Sequence, residues 1–211
     1  MSMASLLGCF GLNTLRYITS TGEVIFDGVT PSLAVAGGAV TYTHKTHGTV
    51  MPVEPHSFHG GEERQDSIDN ATWWSTNQDE LQRHIDAMAT FFPGFIHVPA
   101  TADLAPTWLG QINTGRGTFE IAIMLRRDRG LPAVVPIGKK KFGRSVNGRW
   151  VQSPHLYLSG NLCVAGGDDW NPDVHTAATA TGWAAHWLAA YTEWFITGRG
   201  WPVEGVAQSA S

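Results

Sequence analysis

The stretch from Asn171-Pro172 to Gly198 constrains this chain more than any other, because it sets Ala184, Trp187, Leu188, Tyr191, Trp194 and Phe195 at i, i+3, i+4, i+7, i+10 and i+11 of one helix. Asn171 can cap that helix, Pro172 suits its first turn, and Gly198 suits the left-handed residue that follows its last. An aromatic face this broad has to be covered, and a sheet upstream is the expected cover.

The pattern upstream supplies one. From Thr76, Leu81, Ile85, Met88 and Phe92 recur at helical spacing, with Thr76 or Asn77 as cap, Asp79 and Glu80 in the first turn and Pro93-Gly94 as the stop. Residues 107–112, 117–125 and 133–137 read as three sequential strands, joined by Gly115-Arg116-Gly117 and by the loop 127–132. Helix, antiparallel meander, irregular loop and helix make the class α+β. Ahead of Trp74, Leu15 to Phe26 around Thr19-Ser20-Thr21-Gly22, and Leu33 to Val50 around Gly37-Gly38, suit hairpins, and residues 54–70 are polar and loop-like. The expected organisation is a β-rich N-terminal extension over 1–74, a main domain over 75–205 and a tail over 206–211.

Composition removes several function classes. In 211 residues, 43% are apolar and 15% charged, with nine Trp, which is a folded chain and not a disordered one. A net charge of −4 without a basic stripe argues against nucleic acid as a partner, and the run Lys139-Lys140-Lys141 faces water or meets an acidic partner. No stretch reaches membrane-spanning length, and the opening Met1 to Cys9 lacks the positive start and apolar run of a signal peptide. Cys9 and Cys163 are the only cysteines, so no disulfide framework is expected, and a cytoplasmic location fits a thiol kept reduced. His44-x-x-His47 and His56-x-x-His59 have spacings that imidazoles can use for zinc, but an i, i+3 pair on a strand points to opposite faces. No metal and no cofactor are expected.

The chemistry-bearing segment is Ser153-Pro154-His155-Leu156-Tyr157-Leu158-Ser159-Gly160-Asn161-Leu162-Cys163, followed by Trp170-Asn171-Pro172. Taken singly, its residues have plain readings. A lone Cys is usually a small buried hydrophobe, Pro154 and Gly160 punctuate a loop, Asp168 and Asp169 beside Gly166-Gly167 form a solvated turn, and Trp170 anchors it. Taken together, their spacing resembles that of the ubiquitin-conjugating enzymes. These carry a His-Pro-Asn tripeptide, an apolar-aromatic pair, a Gly, an apolar-Cys pair and then Trp-x-Pro. Here Ser153-Pro154-His155 falls on the tripeptide, Leu156-Tyr157 on the pair, and Gly160 and Leu162-Cys163 on the next two features; Trp170 and Pro172 complete the pattern. Ser153 replaces the family's His, and His155 its Asn. His155, with Trp187-Leu188, Tyr191 and Trp194 to Gly198, is more similar to the bacterial branch found in antiphage and ubiquitin-like conjugation operons.

The resemblance implies a ubiquitin-conjugating-like fold, and a transferase that holds a modifier's C-terminal Gly as a thioester on Cys163 and passes it to a target amine. It implies as partners an activating enzyme and a ubiquitin-like modifier, or another protein with an exposed C-terminal Gly. His155 would stabilise the tetrahedral oxyanion or fix the loop, and Asp168 or Asp169 would accept the amine's proton. Pro154, Tyr157, Gly160 and Trp170 would shape the active-site loop. Two other classes remain open at this level. One is a cysteine hydrolase using Cys163 with His155, His175 or His186 as base; the other is a noncatalytic binding module on the same scaffold.

Overall fold

The computed structural model describes residues 15–33, 40–66, 72–138 and 141–207. Cys9, Gly37-Gly38, Lys139 and Lys140 lie outside these. The extension forms β1 (Tyr17–Thr19), β2 (Val24–Ile25), β3 (Val29–Leu33), β4 (Val40–His44) and β5 (Gly48–Pro52), an antiparallel sheet in the order β2-β1-β5-β4-β3. The expected hairpin around Thr19 to Gly22 is the β1–β2 pair. Next come β6 (His56–Ser57), the single turn α1 (Trp73–Thr76) and α2 (Gln78–Phe91). Asn77 caps α2 by accepting the Glu80 N–H at 3.1 Å, which matches the expected start. A second antiparallel sheet holds β7 (Ile96–Val98), β8 (Thr107–Asn113), β9 (Thr118–Met124) and β10 (Ala133–Pro136) in the order β10-β9-β8-β7.

Alternation explains this second sheet. Trp108 and Ile112 on β8, Phe119, Ile121 and Ile123 on β9, and Val134 on β10 are buried on one face. A ribbon of β11 (Gly143–Val146) and β12 (Arg149–Gln152) follows. Its two-residue turn puts Asn147 at φ 51° and Gly148 at φ 77°, the left-handed pair that Asn-Gly favours. The chain then runs through the Cys163 loop to α3 (Ala177–Thr197), and β13 (Gly205–Val206) returns to pair with β6.

Helix α3 is the hub, touching α2, β8 to β10 of one sheet and β1 and β2 of the other. It departs from expectation twice. It begins at Ala177 and not at Pro172, because residues 171–176 fold into a turn of their own: Asn171 Oδ1 accepts the Asp173 N–H at 3.0 Å, and Asn171 O accepts the His175 N–H at 2.8 Å. It is also buried almost all round and not on a single stripe, because Ala177, Ala178, Ala180 and Gly182 let neighbours close in. A Cβ on Gly182 would run into the Met51 Cε of β5. Ile18, Met51 and Val53 of the extension thus share one core with Trp183, Trp187 and Leu188. Burying each such large side chain contributes about 1.5–3 kcal/mol. Gly198 ends the helix at φ 68°, as expected. No helix among the described residues is long and apolar enough to cross a membrane.

Three histidines are buried in this core. His84 Nδ1 accepts the Ala177 N–H at 2.9 Å, satisfying the start of α3, and His56 and His186 share a hydrogen bond of 3.1 Å. Burial pushes His84 and His56 from 6.5 down to about 4, and lowers His186 further below its ordinary value. The unfolded chain binds these protons near pH 6.5, whereas the folded chain does not until about pH 4. Stability should therefore fall as pH drops through that window, by about 1.4 kcal/mol per pH unit for each histidine. Denaturant midpoints between pH 6.5 and 5, above most carboxylate titration, check this; a flat profile contradicts it.

Candidate functional site

The loop between β12 and α3 is built to present Cys163. Pro154 leads to His155, whose φ of 55° turns the chain sharply, and the His155 carbonyl accepts both the Cys163 N–H at 3.1 Å and the Trp187 Nε1–H at 3.0 Å. Tyr157 N–H donates to Asn161 O at 3.0 Å and Gly160 N–H to Tyr157 O at 2.9 Å, closing a tight turn in which Gly160 has φ 91°. Leu162 N–H donates to Val134 O at 3.0 Å, pinning the returning arm to β10. The thiol therefore sits at a fixed point, one residue beyond the edge of a sheet.

Cys163 lies at the floor of a cavity of about 670 Å³. The walls are His59, Gly60 and Glu62 to Arg64 of the extension, Arg126 and Asp128 to Pro132, Tyr157, and the turn Gly166 to Trp170. The residue itself is only 1% exposed. Its Sγ donates toward Ala165 O at 3.9 Å, and Tyr157 and His59 line the same cavity. Burial raises the thiol pKa and nearby Glu63 adds to this, and the polar groups of Tyr157 and His59 offset it only in part; the net direction is up. Burial, with the negative field of Glu63, also raises Tyr157, so its phenol stays protonated and able to donate.

The other expected site residues fall differently. His155 does not line the cavity: Nδ1 meets His59 O at 2.8 Å and Nε2 faces Glu204 Oε2 at 3.3 Å, so both ring nitrogens hold the loop against the extension and the C-terminal segment. Asp168 and Asp169 do line it. Asp169 Oδ2 accepts the Ser57 and Gly166 N–H groups, each at 2.8 Å, whereas exposed Asp168 has no partner among the described residues. Trp170 donates Nε1–H to Arg129 O at 2.8 Å and anchors the far rim. His175 packs against Trp170 and Trp183, and His186 is buried with His56; neither lines the cavity, so Cys163 is not brought together there with His155, His175 or His186.

The four N-terminal histidines serve separate ends. His44 Nδ1 accepts the Thr46 and His47 N–H groups in a turn, His56 pairs with His186, and His59 belongs to the cavity wall. Glu63 went unrecognised in the sequence, although it accepts Ser159 Oγ at 2.7 Å and Asn161 Nδ2 at 2.8 Å. So did the Arg126–Asp128 pair at 3.1 Å, which with Arg64 forms another wall. Nothing local marked Glu63 or Arg64, because their contacts span 60 to 100 residues of chain, whereas Arg126 and Asp128 are two residues apart.

Comparison with known proteins adds one result. The model of a family described as "Type II CBASS E2 protein" matches residues 84–209, a span that holds the meander, the Cys163 loop and α3. No curated protein and no solved structure matches the chain.

Proposed function

The chain belongs to the type II CBASS E2 family, a bacterial antiphage family of E2-like proteins, and from that premise we propose that it carries a protein's C-terminal Gly as a thioester on Cys163 and transfers it to a target amine. The observation that carries this reading is the placement of Cys163: a thiol whose backbone is held by hydrogen bonds, on the lining of a cavity of about 670 Å³ beside the active-site loop. Residues 75–205 would be the catalytic unit, in a ubiquitin-conjugating-like arrangement, and 1–74 its cover. The partners would be an activating enzyme and a ubiquitin-like modifier, or another protein with an exposed C-terminal Gly, in a reducing cytoplasm that keeps the thiol free.

The first step is thioester exchange. The Cys163 thiolate attacks the donor thioester carbonyl, a tetrahedral oxyanion forms, and the activating enzyme's thiolate leaves as the new C–S bond closes on Cys163. In the second step the amine attacks that carbonyl, the C–N bond forms, the C–S bond breaks and Cys163 departs as thiolate. Tyr157, a neutral phenol on the wall of the cavity that Cys163 lines, is the candidate donor to the departing or attacking thiolate and to the adjacent oxyanion. Asp168, at the rim and without a partner among the described residues, is the acceptor for the amine's proton. His155 acts by holding the loop and not by touching the reacting atoms.

The test is to mix the protein with its activating enzyme, candidate modifier and ATP, and to seek a reductant-sensitive adduct on a nonreducing gel. No adduct in wild type overturns the reading. Tyr157→Phe should slow transfer about 10²-fold, the usual loss on removing one oxyanion donor, while single-turnover loading at high pH, where thiolate is plentiful, suffers less. An unchanged transfer rate removes Tyr157 from the mechanism.

A further inference from the structure

We propose that residues 59–63 of the extension occupy the seat of the donor's C-terminal tail, so that this segment must be displaced before Cys163 is loaded. The inference rests on the transfer reading above for what the donor is, but its evidence is separate. Gly61 forms a parallel bridge with Tyr157, and Leu158 N–H donates to Gly61 O at 2.9 Å. The segment is thus tied to the active-site loop by a single parallel bridge, one rung of the pairing by which extended peptides bind exposed edges. It lies beside the thiol, since His59, Gly60 and Glu63 line the same cavity as Cys163 and the His59 carbonyl meets His155 Nδ1 at 2.8 Å.

The seat suits a chain without side chains. Gly60 lies against the loop backbone, where an added Cβ would sit 3.5 Å from Leu156 O and 3.8 Å from His155 Cα, and Gly61 takes φ 96°, a conformation that favours glycine. Two consecutive glycines beside the nucleophile have the chemical form of a Gly-terminated donor. Glu63 then holds the segment down through Ser159 and Asn161.

Occupation and reaction are incompatible. A donor carbonyl has to come within about 3–3.5 Å of the sulfur, and a residue 1% exposed, with His59 and Gly60 on the cavity wall beside it, leaves no such approach. Release is local. Phe58 is buried on one side, and Asp66 accepts the Arg127 and Asp128 N–H groups on the other, while 59–62 between them are exposed and held mainly by polar contacts. Segments of this kind open at low free energy without global unfolding.

Alkylation of Cys163 by iodoacetamide in the full chain, followed by peptide mass, tests this independently of any transfer activity. Glu63→Ala should speed labelling roughly tenfold by freeing the segment. Removing the charge also eases thiol ionisation, so rates are compared per thiolate from full pH profiles, with Glu63→Gln, which retains an acceptor oxygen, expected near wild type. A synthetic peptide ending in Gly-Gly should then protect Cys163 of the Glu63→Ala protein, and one ending in Ala-Ala should not. Labelling unchanged in Glu63→Ala, an equal gain in Glu63→Gln, or no protection by the Gly-Gly peptide would each overturn the proposal. If these results hold and no adduct forms with activating enzyme and ATP, the transfer reading fails while the occupied seat stands.

Discussion

Cys163→Ala should reduce adduct formation to background and leave the chain folded. The chemistry needs a nucleophile at one point in space, and the two backbone bonds that set that point, Cys163 N–H to His155 O and Leu162 N–H to Val134 O, do not involve the side chain. Deleting the sulfur among Leu162, Val164 and Ala165, all buried, removes one small group and costs about 1 kcal/mol. The loss of activity and the loss of stability are therefore far apart in size, and measuring both separates a missing nucleophile from a collapsed loop. Nonreducing gels report the first and denaturant unfolding the second. An adduct that persists in Cys163→Ala would move the nucleophile elsewhere, Cys9 being the other thiol in the sequence.

What could be read from the sequence divides by distance along the chain. The β8–β10 meander, the cap at Asn77 and the aromatic face of α3 rest on periodicities within twenty residues, and they stand where the pattern put them. The burial of the opposite face of α3 was hidden, because Ala177, Ala178 and Gly182 look neutral until Met51 and Ile18 arrive from the extension. The β11–β12 ribbon was overlooked although Asn147-Gly148 announces it. The site follows the same rule. Cys163, Tyr157 and Gly160 belong to one tight turn and were legible as a motif, whereas His59 and Glu63 reach the thiol only through tertiary folding. His155 was assigned a choice between oxyanion donor and loop support; its ring contacts with His59 and Glu204 favour support.

Trp187→Ala should cost about 3–5 kcal/mol, the range for truncating a fully buried aromatic, against a total of roughly 5–15 kcal/mol for a domain of ordinary size. The indole has no exposed surface, stacks on Tyr191 at 5.7 Å and 8°, and meets Phe142 and Trp201 at 5.4 and 5.3 Å. It also has a second role that packing alone does not express: Nε1–H is one of two donors on the His155 carbonyl, the other being Cys163 N–H. The helix thereby fixes the residue whose left-handed backbone sets the direction of the whole loop. Trp187→Phe divides these roles, since it keeps most of the ring contact and deletes the donor, at a cost of about 1 kcal/mol for the lost bond. Denaturant midpoints should rank wild type, Phe and Ala in that order. Loading of Cys163 should fall in the Phe variant by more than its small loss of folded population explains, because the carbonyl that anchors the thiol's own N–H is left with a single donor. If loading in Trp187→Phe equals wild type, the indole is a core side chain only, and the loop takes its geometry from Gly160 and the Leu162–Val134 bond.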